Sequence, residues 1–192
     1  MTYSIAVSEF SVAPSVGIGA VDRFMRQSTP FSHTVVSFLR EDGSMIAEIN
    51  GLATDKYGNV RAMGLAIRGD KILGYINDGK TEGGVFSTAS LFEVSDSLSI
   101  LDVREDGNLS KDLSLVFATL VAINSAMHKY QVFEANSNSV ATHVLEVLGI
   151  DVETLRAASD KWTPGTNRDI LSSEQISQIQ SVLQVSTMGT LE

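Results

Sequence analysis

The chain contains no cysteine, only three prolines and one tryptophan, and aromatic residues fill 7% of its 192 positions. Without thiols there is no disulfide framework, no thiolate zinc site and no cysteine nucleophile. Histidine is scarce: His33, His128 and His143 are the only three, and none stands in an H-E-x-x-H pattern, so no metal centre is expected. No apolar run approaches the roughly 20 residues of a membrane span. The opening "MTYSIAVSEF" lacks the basic head and long apolar core of a signal peptide. Lys and Arg total 14 against 23 Asp and Glu, which leaves a net charge of −9. A surface this acidic repels phosphate backbones and argues against a nucleic-acid partner. The expectation is a cytoplasmic chain, or one exported without a signal peptide, that uses no cofactor. Oligomeric state is not legible.

What is present suits an ordinary globular protein. With 43% hydrophobic and 19% charged residues, the chain can bury a sizeable core. We expect one domain over residues 1–190, with Leu191-Glu192 reading as a cloning scar. The first half carries β signals. "TYSIAVSEFSVA" is β-rich, and "SHTVVSFLREDGSMIAEING" holds two β-branched runs around Asp42-Gly43, a good hairpin turn because Gly supplies a positive φ. "NVRAMGLAIRG", "KILGYIN", "GGVFSTASLFEV" and "LSILDVRED" read as further strands.

The second half changes period. Leu113, Val116, Phe117, Leu120, Ile123 and Met127 recur at helical spacing behind Ser110, a plausible N-cap. Val140, Val144, Leu145 and Leu148 form an apolar stripe that ends at Gly149, a C′ residue. Asp151 caps a short helix, and Ser172 with Gln175 makes a capping box for a last one. Strands first and helices second predict an α+β fold, an antiparallel sheet packed against helices.

Most motif-like features have plain explanations. "GIGA" (Gly17 to Ala20) is too short for a dinucleotide fingerprint, and there is no G-x-x-x-x-G-K or G-x-S-x-G. "KTEGGVF" (Lys80 to Phe86) reads as a flexible loop or a lid. Asp55, Asn59 and Asp70 lie in acidic turns, better explained by turn chemistry than by calcium.

Two features stand out. His33 begins a strand, where a histidine is commonly bonded to a carbonyl. If the hairpin turns at Asp42-Gly43, His33 faces Leu52, Val35 faces Asn50 and Ser37 faces Glu48. Directly opposed residues share a face. Asn50 is then diagonal to His33, at roughly 5.5–8 Å between backbones, and could hold the imidazole in one tautomer. Glu48 lies a step further. A bulge in the turn would move the register and flip the face. The second feature is Asn136-Ser137-Asn138-Ser139 directly before an apolar helix. Asn and Ser are favoured caps, and Asn136 or Ser139 suits that role. The same helix start also offers free N–H donors and partial positive charge to a nucleophile's developing negative charge. A hydroxyl there needs a neighbouring base, which His33 could be.

Together "HTVV" and "NSNSVATHVLEVLG" resemble the circularly permuted papain-like hydrolases, including the PPPDE superfamily and related bacterial cell-wall and acyl-processing enzymes. That family places a His on an early strand, a polar orienting residue on the next, and a nucleophile at a late helix start, typically as N-C-N-x-F. The resemblance covers two short motifs in order, not the segments between them. It implies a permuted papain-like fold and the assignment of His33 as base, Asn50 or else Glu48 as orienter, and Ser137 as nucleophile where the family has Cys. Asn136, Asn138 and the Ser137 N–H would form the oxyanion site. It further implies a hydrolase or acyl transferase acting on peptide, isopeptide or peptidoglycan-type amide or acyl bonds. "WTPG" (Trp162 to Gly165) is similar to material after the active-site helix in some relatives, without an assigned role. Because serine depends on its base far more than cysteine does, three alternatives stand. Ser137 works as a nucleophile, is an inactivating substitution, or marks a protein that only binds, as an effector module would. A phage-type structural or assembly protein is a further alternative.

Overall fold

The computed structural model describes residues 1–11, 32–61, 66–77, 97–131, 134–158, 165–166 and 169–188. Its first half forms five antiparallel strands: β1 (Tyr3–Ser11), β2 (Ser32–Leu39), β3 (Met45–Thr54), β4 (Lys71–Asn77) and β5 (Ser97–Arg104). Their spatial order is β4-β3-β2-β1-β5. The second half supplies helices α1 (Leu109–Ala126), α2 (Ser137–Val147), α3 (Val152–Ala158) and α4 (Ser173–Met188). This is an α+β arrangement, with strands and helices segregated along the chain as the change of period requires.

The β2–β3 hairpin carries the register expected from its turn as far as Val36, while the expected pairs Val35–Asn50 and His33–Leu52 do not form. Val36 pairs with Ile49, Ser37 with Glu48 and Phe38 with Ala47, and a shift is confined to Leu39↔Met45 beside the turn. Gly43 takes φ 79° there, and Asp42 Oδ1 accepts the Ser44 N–H at 2.9 Å. Alternation then sorts the side chains. Val36, Phe38, Ala47, Ile49 and Ile72 join the core beneath the helices. His33, Val35, Ser37, Glu48, Asn50 and Tyr75 occupy the alternate positions, and they are buried too. β2 is therefore buried along its whole length, on both faces.

The segment expected to form a strand from Asn59 to Gly69 does not form one in its described residues. Asp55 Oδ1 accepts the N–H groups of Tyr57 (2.8 Å) and Asn59 (2.9 Å), which closes a turn completed by Gly58 at φ 87°. That turn folds Val60 back onto Thr54 as an isolated bridge, and Arg61 reaches Asp70 instead of continuing a ladder. "GIGA", "KTEGGVF" and the expected strand "GGVFSTASLFEV" lie outside the described residues.

α1 starts two residues earlier than Ser110 implied. Asn108 is its cap, with Oδ1 accepting the Lys111 N–H at 3.0 Å. Its buried stripe is also rotated. Asp112, Leu115, Val116, Thr119, Leu120 and Ile123 face inward, while Phe117 is 59% and Met127 50% exposed. Asp112 is held inward, its Oδ2 accepting the Tyr3 hydroxyl at 2.5 Å and pairing with Arg104 at 2.7 Å, and Phe117, about 140° round the helix, faces out. α1 is 18 residues long with a mean hydropathy of 1.2, enough by length and composition to cross a bilayer, yet its inward face is part of this core.

The remaining helices follow their sequence signals. Gly149 ends α2 at φ 78°, Asp151 Oδ1 caps α3 through Glu153 N at 2.9 Å, and Ser172 and Gln175 exchange both capping-box bonds at α4.

Candidate active site

The site is built where β2 and β3 part. Their ladder stops at Val36↔Ile49, beyond which β2 pairs only with β1 and β3 only with β4. The N-terminus of α2 occupies this opening. Asn138 bonds the edge of β2 that β3 leaves unpaired: its Oδ1 accepts Thr34 N–H at 2.8 Å, and its Nδ2 donates to Ser32 C=O at 3.0 Å. One amide thus brackets His33 as a neighbouring strand would, which spares two buried backbone groups the cost of lost partners. On the β3 side, close approach depends on Gly51. A Cβ there would lie 2.8 Å from Ser137 Cα and 2.7 Å from Val140 Cγ2.

The helix start is capped twice. Asn136 Oδ1 accepts Asn138 N–H at 2.8 Å, and Ser139 Oγ accepts Asn136 N–H at 3.3 Å, a capping box. Ser139 Oγ also donates toward Glu134 O (2.9 Å) and Gly165 O (2.8 Å). Gly165, the last residue of "WTPG", has φ 89°, and a Cβ on it would meet Asn136 Oδ1 at 2.5 Å. Its role is to let the chain close over the cap.

His33 is 3% exposed and sits against Asn50, with Nε2 3.3 Å from Asn50 Oδ1. Asn50 Nδ2 donates in turn to Glu48 Oε1 at 2.5 Å. Asn50 thus turns its nitrogen to Glu48 and its oxygen to His33. His33 must then donate from Nε2, which leaves the Nδ1 lone pair as its basic site. Nδ1 has no hydrogen-bond partner among the described residues. Burial lowers the imidazole pKa to about 4, against a smaller raising effect from Asn50, so the ring is neutral at pH 7.

Ser137 is 6% exposed and is the first residue of α2. Burial raises the pKa of the Tyr130 phenol, and Ser137 nearby opposes that shift. The Ser137 backbone N–H, the first orphan donor of the helix, has no acceptor among the described residues, because the cap serves Asn138.

The structure therefore brings His33, Asn50 and Glu48 into one relay, and sets Asn136, Ser137 and Asn138 at the helix start beside it. It does not join the two by a His33–Ser137 hydrogen bond. Ser137 packs against Gly51 on the helix-bearing side, whereas alternation points His33 and Asn50 to the other. The Asn138 amide holds β2, and the Asn136 oxygen serves the cap. Tyr130 had no sequence signal. Its backbone N–H donates to Asp70 O at 2.9 Å.

His143, to which the sequence assigned nothing, is fully buried in α2. Its Nε2 accepts Ile170 N–H (2.9 Å) and Leu171 N–H (3.3 Å), and its Nδ1 lies 2.7 Å from Glu146 Oε2. Accepting at Nε2 puts the proton on Nδ1, so this histidine ties α2 to the lead-in of α4. Among the described residues no group of three or more His, Asp or Glu could hold a metal ion. No family model, no curated protein and no solved structure matches the chain.

Proposed function

We propose that the protein is an acyl-transfer enzyme of the permuted papain-like kind, a hydrolase or acyl transferase for peptide, isopeptide or related amide and acyl bonds, with Ser137 as nucleophile. The tautomer of His33 carries this proposal. The Glu48–Asn50 relay leaves a neutral imidazole with Nδ1 as its base, on a strand that Asn138 fixes to the helix beginning at Ser137. Relays of this kind hold a general base in one orientation.

On this plan Ser137 Oγ bonds to the substrate carbonyl carbon as its proton passes to His33 Nδ1. The C=O electron pair moves onto oxygen, beside the Ser137 N–H. When that pair returns, the C–N, C–S or C–O bond to the leaving group breaks and His33 returns the proton to it. Water or an acceptor then repeats the sequence on the acyl-enzyme. Catalysis requires the Ser137 hydroxyl and His33, which no hydrogen bond joins in this structure, to meet when substrate binds.

A second reading is a binding or effector module on the same scaffold. It is favoured by the alternate pleat positions of His33 and Gly51. Labelling with a fluorophosphonate, read by intact mass and peptide mapping, separates the two. Modification of Ser137 that His33→Ala abolishes is the enzyme's signature. Absence of labelling, or labelling indifferent to His33→Ala, leaves the binding module.

A further inference from the structure

We propose that His143 is an acid-sensitive latch: its neutral ring holds the lead-in of α4 onto α2, and protonation of the nitrogen that holds it lets the lead-in go.

His143 lies in the middle of α2 and is fully buried, with polar groups at both ring nitrogens. Nε2 accepts two backbone N–H groups, from Ile170 at 2.9 Å and Leu171 at 3.3 Å. Nδ1 lies 2.7 Å from Glu146 Oε2, one turn further along the helix. A neutral imidazole offers one lone pair. Here that lone pair serves two donors, while the carboxylate takes the proton on the other nitrogen. Ile170 is 5% and Leu171 1% exposed, so the lone pair anchors a piece of the core. The same stretch of chain is moored to α2 on either side of His143. Upstream, Gly165 O accepts the Ser139 hydroxyl at 2.8 Å, over the cap of α2. Downstream, Gln180 Nε2 in α4 donates to Glu146 O at 3.3 Å and Val147 O at 3.2 Å.

A proton on Nε2 reverses the central contact. The acceptor becomes an N–H aimed at two other N–H groups. Flipping the ring does not repair this, because an imidazolium donates from both nitrogens. Glu146 decides which side yields. Its carboxylate, 30% exposed, attracts the charged ring and keeps Nδ1 where it is, so the lead-in moves and the histidine stays. Charged groups on the surrounding elements are engaged elsewhere or face solvent. Asp112 of α1 and Asp102 of β5 pair with Arg104. His33 of β2 and Glu48 of β3 belong to the Asn50 relay, and Lys71 of β4 bridges Lys129 through the backbone. Glu153 and Arg156 of α3 pair with each other, and Asp169 of the lead-in and Glu174 of α4 are exposed. Because Gly165 closes over the cap, release of the lead-in also loosens the helix start that carries Ser137.

Amide hydrogen exchange of the full chain, read by NMR as protection relative to the intrinsic rate, tests the latch. From pH 6 to pH 5 protection at Ile170 and Leu171 should fall about tenfold, the slope for one proton taken up on opening. Val36, paired on both sides within the sheet, should lose less. His143→Gln keeps an acceptor for the two N–H groups and has no proton to gain, so their protection should hold at both pH values. Glu146→Gln keeps an acceptor for Nδ1–H without the charge, and should move the loss to lower pH. An equal acid loss in wild type and His143→Gln overturns the proposal, as does a wild-type loss at Val36 as large as that at Leu171. Should His143→Gln fail to fold, Glu146→Gln decides alone, and an unshifted profile overturns the latch.

Discussion

Asn138 accepts the Thr34 N–H at 2.8 Å from a helix 104 residues further along the chain. The same amide donates to Ser32 C=O, so a single side chain completes the edge of β2 on both sides of His33. This contact sets the helix start and the histidine strand in one rigid frame.

Removing that amide should therefore cost more than a surface change. Asn138→Ala leaves two buried backbone groups unpaired, at about 1–3 kcal/mol for each. Asn138→Asp keeps an acceptor for Thr34 but sets a carboxylate oxygen against the Ser32 carbonyl, so we expect no rescue. Urea denaturation of the three proteins checks this. An Asp variant as stable as wild type would show that the donor to Ser32 is dispensable.

Gly51→Ala probes the other side of the opening. The new methyl must enter space held by Ser137 Cα, at 2.8 Å, and a backbone atom has little freedom to yield. We expect a loss of about 1–3 kcal/mol, typical of overpacking, and disturbed labelling at Ser137. A crystal structure of the variant with α2 unmoved would contradict this.

Ser137 and Asn136 should separate chemistry from capping. The cap belongs to Asn136, whose side chain satisfies Asn138 N–H. Asn136→Ala should cost about 1 kcal/mol. Ser137→Ala should unfold at nearly the wild-type temperature while losing all modification at that position. Differential scanning calorimetry paired with mass spectrometry reads both.

Acid should unfold the protein partly through His33. Its folded pKa, about 4, lies below the ordinary value of 6.5, so between these limits the unfolded chain binds the proton more readily. Stability is fully present above pH 6.5 and declines as pH falls toward 4, by about 3 kcal/mol for a shift of this size. His33→Gln keeps a donor for Asn50 and has nothing to titrate. Its stability between pH 7 and pH 4.5 should fall less than that of wild type. Parallel curves for the two proteins would remove His33 as the cause.

Much of this was local and therefore legible in the sequence. Asp42-Gly43 fixed the hairpin because only a residue tolerant of positive φ fits there, and the register then brought Asn50 to His33. Gly149, Asp151 and Ser172 marked helix ends because capping is satisfied within a few residues. Other outcomes depended on partners far along the chain. Tyr3 and Arg104 hold Asp112 inward while Phe117 faces out, which no periodicity within α1 could reveal. Glu48 oriented the Asn50 amide and so chose the histidine tautomer. The Asn138 amide was drawn to the edge of β2 that β3 leaves unpaired. The sequence by itself determined the strand and helix order, the turn residues and the chemistry available at His33 and Ser137, because these follow from nearest neighbours. Which polar groups are committed and which are left to react was decided only by tertiary structure, since a hydrogen bond is satisfied by whatever donor or acceptor the fold brings within reach.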